Sequence, residues 1–178
     1  FDIFMEQNQV SSELLLNQSD ERIAHAFQSY DLPFAILGDL RTIIDQIQYP
    51  LAIRSSSILE DALEAPFAGI YATKMIPNNE SDTDVRFRKL VEAIKFVYAS
   101  TFFKAAKDYR HAIGKDLLDE KMAVIVQEVV GTAHFDRYYP DISGVARSFN
   151  YYPPSHSKPE DGIVNLALGL GKTIVDGE

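Results

Sequence analysis

The sequence predicts an α+β fold, because helical and strand patterns follow each other in blocks rather than in a regular alternation. Apolar residues recur at helical spacing near the start of the chain and again in a long central block. Short apolar runs bounded by turn residues lie between and after these blocks. We predict a helical block over about residues 82–114 and strands over about residues 51–54, 69–76, 122–130, 142–151 and 163–168.

Two amphipathic helices are predicted before the first strand. Ser19 is followed by two acidic residues, which is typical of a helix N-cap, and apolar residues recur at helical spacing from Ile23 to Tyr30. Pro33 ends this helix. A second helical pattern runs from Ile36 to Ile47 and stops before Pro50, because the residue before a proline avoids the helical conformation.

The spacing of apolar residues distinguishes the later strands from the central helices. Residues 122–130 are almost wholly apolar and rich in β-branched side chains, which indicates a buried strand. Residues 69–76 alternate and end at a turn signal that begins with Pro77. Helical spacing returns from Ser81 to about Gly114, as one long helix or as two helices separated near Ser100. The segment 152–162 contains three prolines and is predicted to be a loop.

The composition excludes several classes of protein. The chain has 178 residues, of which 46% are hydrophobic, so it can bury a core. It has no cysteine, which excludes disulfides, thiolate nucleophiles and cysteine-based metal sites. The formal net charge of -9 disfavours nucleic acid as a partner, because the phosphate backbone would be repelled.

The chain is expected to be soluble and cytoplasmic and to bind no membrane. Its mean hydropathy is -0.12. No apolar run approaches the roughly 18 residues that a membrane-spanning helix needs. We also find no basic segment followed by an apolar one at the start, so we expect no secretory signal.

The segment around Arg54 is the sharpest chemical signal. An arginine followed by Ser55, Ser56 and Ser57 directly after a strand can grip a phosphate, since the guanidinium offers paired charged donors and the hydroxyls add further ones. A second interpretation is structural. In it, Ser57 and Glu60 form a capping box and Arg54 belongs to a surface ion pair.

Two glycine-containing segments are weaker signals. Gly69 would let the backbone approach an anion, although a simple turn into the next strand is the favoured explanation unless the neighbouring arginine is considered. The segment Gly169 to Thr173 is reminiscent of a phosphate-binding P-loop. However, Leu166 stands where that loop requires its first glycine, so we reject a P-loop here.

Taken together and in order, five segments resemble the signatures of the ATP-binding domain of phosphoenolpyruvate synthases and pyruvate phosphate dikinases. The similarity extends from about Ala35 to Gly177. The segments are Leu51 to Ser57 with Glu60-Asp61, Pro66 to Thr73, Met122 to Val130, Ser143 to Ala146, and Gly169 to Gly171.

The resemblance implies a fragment of an ATP-grasp fold, a mixed and mostly antiparallel sheet with flanking helices and a helical insertion, forming one domain over residues 1–178. It implies that Arg54 contacts the ATP phosphates and acts in catalysis. The remaining residues that it implies in nucleotide binding are Ser55, Ser56, Gly69, Ile70, Gln127, Glu128, Val129 and Val130.

The same resemblance implies a function for a longer parent protein. In that family ATP phosphorylates a histidine on another domain, and the phosphohistidine then supplies a pyruvate-binding domain. ATP and Mg²⁺ are the implied cofactors, with the metal ligands expected outside this chain. We therefore expect the parent protein to be an ATP-dependent phosphotransferase, or kinase. We expect this chain alone to be too short to catalyse the reaction.

Several alternatives stay open at this level. Lys172 occupies a position where the family usually has glutamate, which favours a non-catalytic nucleotide-binding or regulatory module. A related phosphotransferase with a different acceptor is a second alternative. A purely structural domain, in which the Arg54 segment is only a helix cap, is a third.

Overall fold

The computed structural model describes residues 1–11, 15–57, 59–60, 69–114 and 121–171. It divides into two compact units, Phe1–Glu128 and Val129–Glu178. The first unit contains, in chain order, α1 (Asp2–Gln7), α2 (Asp20–Ser29), α3 (Phe34–Gln46), β1 (Leu51–Ser57), β2 (Lys74–Ile76), α4 (Thr83–Ser100), α5 (Lys104–Ala112) and β3 (Met122–Glu128).

The second unit consists of two short hairpins and the loop within one of them. Its strands are β4 (Thr132–His134), β5 (Arg137–Tyr139), β6 (Ile142–Arg147) and β7 (Ile163–Leu168), with a 3₁₀ turn at Pro159–Asp161. Strand β4 pairs with β5, and β6 pairs with β7. Every pair of strands in the described part of the chain is antiparallel.

The sheet of the first unit has the strand order β2-β1-β3. Leu51 lies opposite Ile76 on one side and Glu128 on the other, so β1 is the central strand. Helices combined with antiparallel sheets confirm the α+β prediction and fit an ATP-grasp-like fragment. No helix formed by the described residues is long and apolar enough to cross a membrane.

An aromatic cluster lies at the centre of the first unit's core. The Phe4 ring centroid is 5.2 Å from that of Tyr98 and 5.7 Å from that of Phe27. Phe27 also lies 5.8 Å from Phe102. Phe4 and Phe27 are fully buried. These contacts join α1 and α2 to the last turn of α4 and to the residues that follow it, so the helices share one apolar core.

Buried polar side chains fix the chain where α3 leads into β1. Arg86 on α4 donates from Nη1 to the carbonyl oxygens of Ile44 and Ile47, at 2.9 and 3.1 Å. Asn78 donates from Nδ2 to the carbonyl oxygens of Ile47 and Tyr49, at 2.8 and 3.1 Å. The C-terminal carbonyls of a helix lack partners within it, so these donors satisfy groups that would otherwise be costly to bury.

Two predicted strands are longer than those in the structure at their C-terminal ends. The run 122–130 pairs only to Glu128, and the run 142–151 only to Arg147. After Arg147 the backbone forms loop hydrogen bonds instead. The Asn150 N–H donates to the carbonyl oxygen of Pro159 at 2.8 Å, and the Tyr152 N–H donates to Asn150 Oδ1 at 3.0 Å.

The predicted strand 69–76 is also shorter in the structure, where only Lys74–Ile76 pairs. Its first residues form a turn, because Gly69 has a φ of 77°, a conformation that ends regular pairing. The predicted strand 51–54 continues to Ser57, since its last residues pair with the start of β3. The strand predicted at 163–168 coincides with β7.

The helical block predicted over 82–114 is divided into α4 and α5 by the turn at Thr101 to Phe103. Helix α1 and the hairpin of β4 and β5 have no counterpart in the sequence prediction. Each of these strands has three residues and α1 has six. Segments of this length show too few repeats for a period to be recognised.

Truncating Phe27 will strongly destabilise the first unit. Replacing this fully buried ring by alanine removes aromatic contacts and opens a cavity, which typically costs about 3–5 kcal/mol of unfolding free energy. Phe34→Ala is the matched control, because Phe34 is 86% exposed, and we expect a change within about 0.5 kcal/mol. Urea unfolding followed by far-UV circular dichroism measures both, and equal losses would contradict the assigned core.

Candidate functional site

Strand β1 presents Arg54 on the face of the sheet that is turned away from the core. Leu51 and Ile53 are fully buried, whereas Arg54 is exposed, as the alternation of a strand requires. On the neighbouring strand β3, Ile125 lies opposite Arg54 and Gln127 lies opposite Ala52. We call this exposed surface of β1 and β3 the open face.

Arg54 and Gln127 meet on the open face. The Arg54 Nη1 donates to Gln127 Oε1 at 3.3 Å, although 73 residues separate the two in sequence. Among the described residues, Arg54 has no carboxylate partner, so the surface ion pair considered from the sequence is absent there. The guanidinium thus lies at the surface with one long hydrogen bond to a neutral amide.

The three serines after Arg54 have different surroundings. Ser55 donates from Oγ to Glu60 Oε1 at 2.8 Å. Glu60 Oε2 accepts from the Ser57 N–H at 2.8 Å, and the Glu60 N–H donates to Ser57 Oγ at 3.2 Å. These reciprocal bonds form the capping box predicted as the structural interpretation of this segment.

Ser55 therefore lies on the opposite face of β1 from Arg54, with its hydroxyl already bound to Glu60. Ser56 lies on the same face as Arg54. Its hydroxyl makes no hydrogen bond within the part of the chain that the structure describes. From the sequence, the serines and Arg54 are predicted to form one set of donors. In the structure, the alternation of side chains along β1 places them on two different faces.

Gly69 and Ile70 form a turn before β2. Gly69 is exposed, has a φ of 77° and leaves open space where a Cβ would stand. The Ile70 side chain packs against the hydrophobic core, so only its backbone is suited to a ligand. Just after the turn, the Ala72 N–H donates to Ser100 Oγ at 3.0 Å, which ties the segment to α4. Residues 61–68, including Asp61 and Pro66 to Ala68, lie outside the described residues.

The adenine-binding segment expected from the sequence lies at the end of β3. Gln127 and Glu128 are the last two residues of that strand, and both are exposed. Val129 and Val130 follow it and belong to the second unit, where Val130 is 80% exposed. Sequence reasoning assigned Gln127 to adenine through its backbone and missed the contact of its side chain with Arg54.

In the second unit, two of the recognised segments contact each other. Ser143 on β6 donates from Oγ to the carbonyl oxygen of Gly169 at 2.6 Å, and the Gly169 N–H donates to the carbonyl oxygen of Asp141 at 2.9 Å. A Cβ on Gly171 would stand 2.7 Å from the Ser143 Cβ, so this position requires glycine. Lys172 lies outside the described residues.

The described residues contain no group of three or more histidine, aspartate or glutamate side chains placed to hold a metal ion. The donors on the open face are instead a guanidinium, an amide and a hydroxyl. Such donors suit the oxygen atoms of an anion rather than a cation.

Removing the Glu60 carboxylate will destabilise the Arg54 turn. In Glu60→Ala, the Ser57 N–H and the Ser55 hydroxyl lose their acceptor, which we expect to lower the unfolding free energy by about 1–2 kcal/mol. Glu6→Ala is the control, because Glu6 is exposed on α1. Chemical denaturation measures both variants, and an unchanged stability in Glu60→Ala would contradict the capping box.

Comparison with known proteins identifies the family of this chain. Residues 3–178 match the family described as pyruvate phosphate dikinase, AMP/ATP-binding domain. The chain is 32% identical to a phosphoenolpyruvate synthase of Aeropyrum pernix over 140 residues, covering 78% of this chain and 15% of that protein. It is 25% identical to a phosphoenolpyruvate synthase of Pyrococcus furiosus over 175 residues, covering 94% and 19%.

A third relative is an uncharacterized phosphotransferase of Bacillus subtilis, YvkC, which is 28% identical over 127 residues, or 71% of this chain and 13% of that protein. The chain spans less than a fifth of the length of each of these relatives. Because the family match runs through both structural units and includes the Arg54 turn, the chain belongs to the pyruvate phosphate dikinase AMP/ATP-binding domain family and represents a dikinase-like ATP-binding part.

Proposed function

We propose that this chain binds ATP through the open face and serves a longer phosphotransferase that passes a phosphoryl group from ATP to a histidine on another domain. The observation that carries this proposal is the position of Arg54. It is exposed on the central strand, and the only hydrogen bond of its guanidinium to a described residue is a long one to the Gln127 amide. A phosphate oxygen is a better acceptor for this guanidinium than a neutral amide is.

The geometry of Arg54 suits the phosphates of a nucleotide. A guanidinium has five N–H donors in a planar fork, which matches two phosphate oxygens at once. Breaking the 3.3 Å hydrogen bond to Gln127 costs little free energy, because its acceptor is a neutral amide and the bond is already long. The Ser56 hydroxyl lies on the same face and supplies a second kind of donor. In this proposal, Arg54 also stabilises the charge that develops on the transferred phosphoryl group.

Ser55 takes a different role in this proposal. Its hydroxyl is held by Glu60, so it positions the turn that follows Arg54 instead of contacting phosphate. Gly69 and Ile70 contribute backbone N–H groups over the phosphates. The adenine lies along the end of β3, recognised by the backbone of Gln127, Glu128, Val129 and Val130.

The cofactor and the partners follow from the same proposal. Mg²⁺ would accompany ATP, and its carboxylate ligands would come from outside the residues described here. Two of the relatives are named phosphoenolpyruvate synthases, which supports pyruvate as the final acceptor. The proposed partners are accordingly a phosphohistidine domain and a pyruvate-binding domain of the same longer protein, working together in the cytoplasm.

Lys172 supports a second candidate, a nucleotide-binding module that senses ATP without transferring phosphate. A cation at that position, where the resemblance implies glutamate, changes the local charge by two units beside the nucleotide. The two candidates share ATP binding at Arg54. They differ in whether a longer form of the protein acquires labelled phosphate on histidine from γ-labelled ATP.

Arg54→Ala will weaken ATP binding without unfolding the protein. We expect titration calorimetry of the 178-residue chain with Mg-ATP to show saturable binding. The variant should lose about 1.5–3 kcal/mol of binding free energy, as is typical of a lost charged hydrogen bond. Arg54→Lys should recover only part of this loss, because an ammonium cannot bind two phosphate oxygens in the same planar way.

Arg22→Ala provides the matched control, since Arg22 is an exposed arginine on α2, outside the open face. It should bind ATP as the parent chain does. Equal weakening in Arg22→Ala and Arg54→Ala would mean that overall charge, not the open face, determines the affinity. Unchanged binding in Arg54→Ala would exclude this arginine from the nucleotide site.

A further inference from the structure

A concave surface lies in the first unit, between the edge strand β2 and helix α4. This cleft has a volume of 630 Å³, within the range usual for small-molecule sites. Helix α4 contributes one face, because Arg88, Val91, Glu92 and Lys95 follow each other at the spacing of neighbouring helical turns. We call it the basic cleft.

The basic cleft concentrates positive charge in an acidic chain. The charged side chains that line it are four basic ones and one acidic one, although the whole chain has a formal net charge of -9. These residues are Lys74, Arg88, Lys89, Lys95 and Glu92. A local excess of cations in a concave surface focuses the field and attracts anions even when the net charge is negative.

Most of these cations have no carboxylate partner among the described residues. Lys89 is the exception, with Nζ 2.5 Å from Glu80 Oε1. The Lys95 side chain is buried, and its Nζ donates to the backbone carbonyl oxygen of Gln28 at 3.2 Å. Arg88 is exposed and makes no ion pair with any residue that the structure describes. Lys95 therefore has a single neutral acceptor among the described residues, and the oxygen of an anion would be a stronger partner for its ammonium.

The rest of the lining is apolar or offers a hydrogen-bond acceptor. Phe96 and Val91 form part of the wall, and Lys74 Nζ lies 5.4 Å from the centroid of the Phe96 ring. Gln28 donates from Nε2 to the carbonyl oxygen of Glu92 at 3.0 Å. Its Oε1 is buried with no hydrogen-bond partner among the described residues. Such an acceptor suits a ligand hydroxyl or amine.

The basic cleft is separate from the open face. Lys74 pairs with Ile53, so its side chain lies on the core-facing side of the sheet, whereas Arg54 lies on the other side. Among the described residues, none of those that line the cleft belongs to β1 or β3. The size of the basic cleft excludes a nucleic-acid groove. The lining combines cations with an apolar wall, which distinguishes the cleft from a simple ion site.

We propose that the basic cleft binds a small organic phosphate monoester. The phosphate contacts Lys74, Arg88 and Lys95, and the apolar part of the ligand packs on Phe96 and Val91. A hydroxyl or amine of the ligand donates to Gln28 Oε1. This site is additional to the proposed ATP site and does not depend on it.

Phenyl phosphate and inorganic phosphate are the probes that test this proposal. Each is titrated into the ¹⁵N-labelled 178-residue chain at low salt, and amide chemical shifts are followed. We expect saturable shifts at residues of β2 and the adjacent face of α4. Phenyl phosphate should bind at least about threefold more tightly than inorganic phosphate, because only the former covers the apolar wall. Shifts confined to β1 and β3, equal affinities, or no saturation would each overturn the proposal.

Two matched double variants separate the cleft from general charge. Lys74→Gln with Arg88→Gln should weaken phenyl phosphate at least about tenfold. Arg22→Gln with Lys104→Gln removes the same residue types and the same charge from exposed positions outside the cleft, and should change the affinity by less than about twofold. Equal weakening by both doubles would overturn the assignment to this cleft.

Discussion

The arrangement of the candidate site depends on the pairing of strand β1 with both of its neighbours. β1 is the central strand, and its register places Leu51 and Ile53 in the core beside Ile76 and Val126. Because side chains alternate along a strand, the same register places Arg54 on the open face. A slip by one residue would expose the isoleucine and bury the arginine, at a large cost in apolar burial and desolvation.

The same alternation assigns different tasks to adjacent polar residues. Ser55 faces the side of the sheet where Glu60 accepts its hydroxyl hydrogen, and Ser57 completes the capping box with that carboxylate. Ser56 lies beside Arg54 on the open face. The capping box and the proposed phosphate site are therefore compatible. The Glu60 carboxylate stabilises the end of β1 through its hydrogen bonds. Arg54 and Ser56, on the other face, remain able to donate to a ligand.

The sequence predicts the parts of this structure that local patterns determine. The α+β class, the strand that contains Arg54 and the capping box between Ser57 and Glu60 all follow from spacing over a few residues. The contact of Arg54 with Gln127 does not, because it depends on the register of strands joined by a long helical connection. The early end of the strand predicted at 69–76 follows from the positive φ of Gly69, which a periodicity count does not include.

The basic cleft illustrates the same limit of local patterns. Within α4, Arg88 and Lys95 alone predict a solvated helical face, as basic residues on a long helix usually do. This interpretation changes because β2 places Lys74 in the same cleft. Like charges that share a concave surface repel each other, and a bound anion relieves this repulsion. The sheet then separates two regions of positive charge, with Lys74 on its core-facing side and Arg54 on its open face. Arg54 lies on β1 itself, and Lys74 lies on β2, which pairs with β1. An acidic chain can therefore present cationic donors on two surfaces, because the local arrangement of side chains, rather than the net charge, determines the potential at each surface.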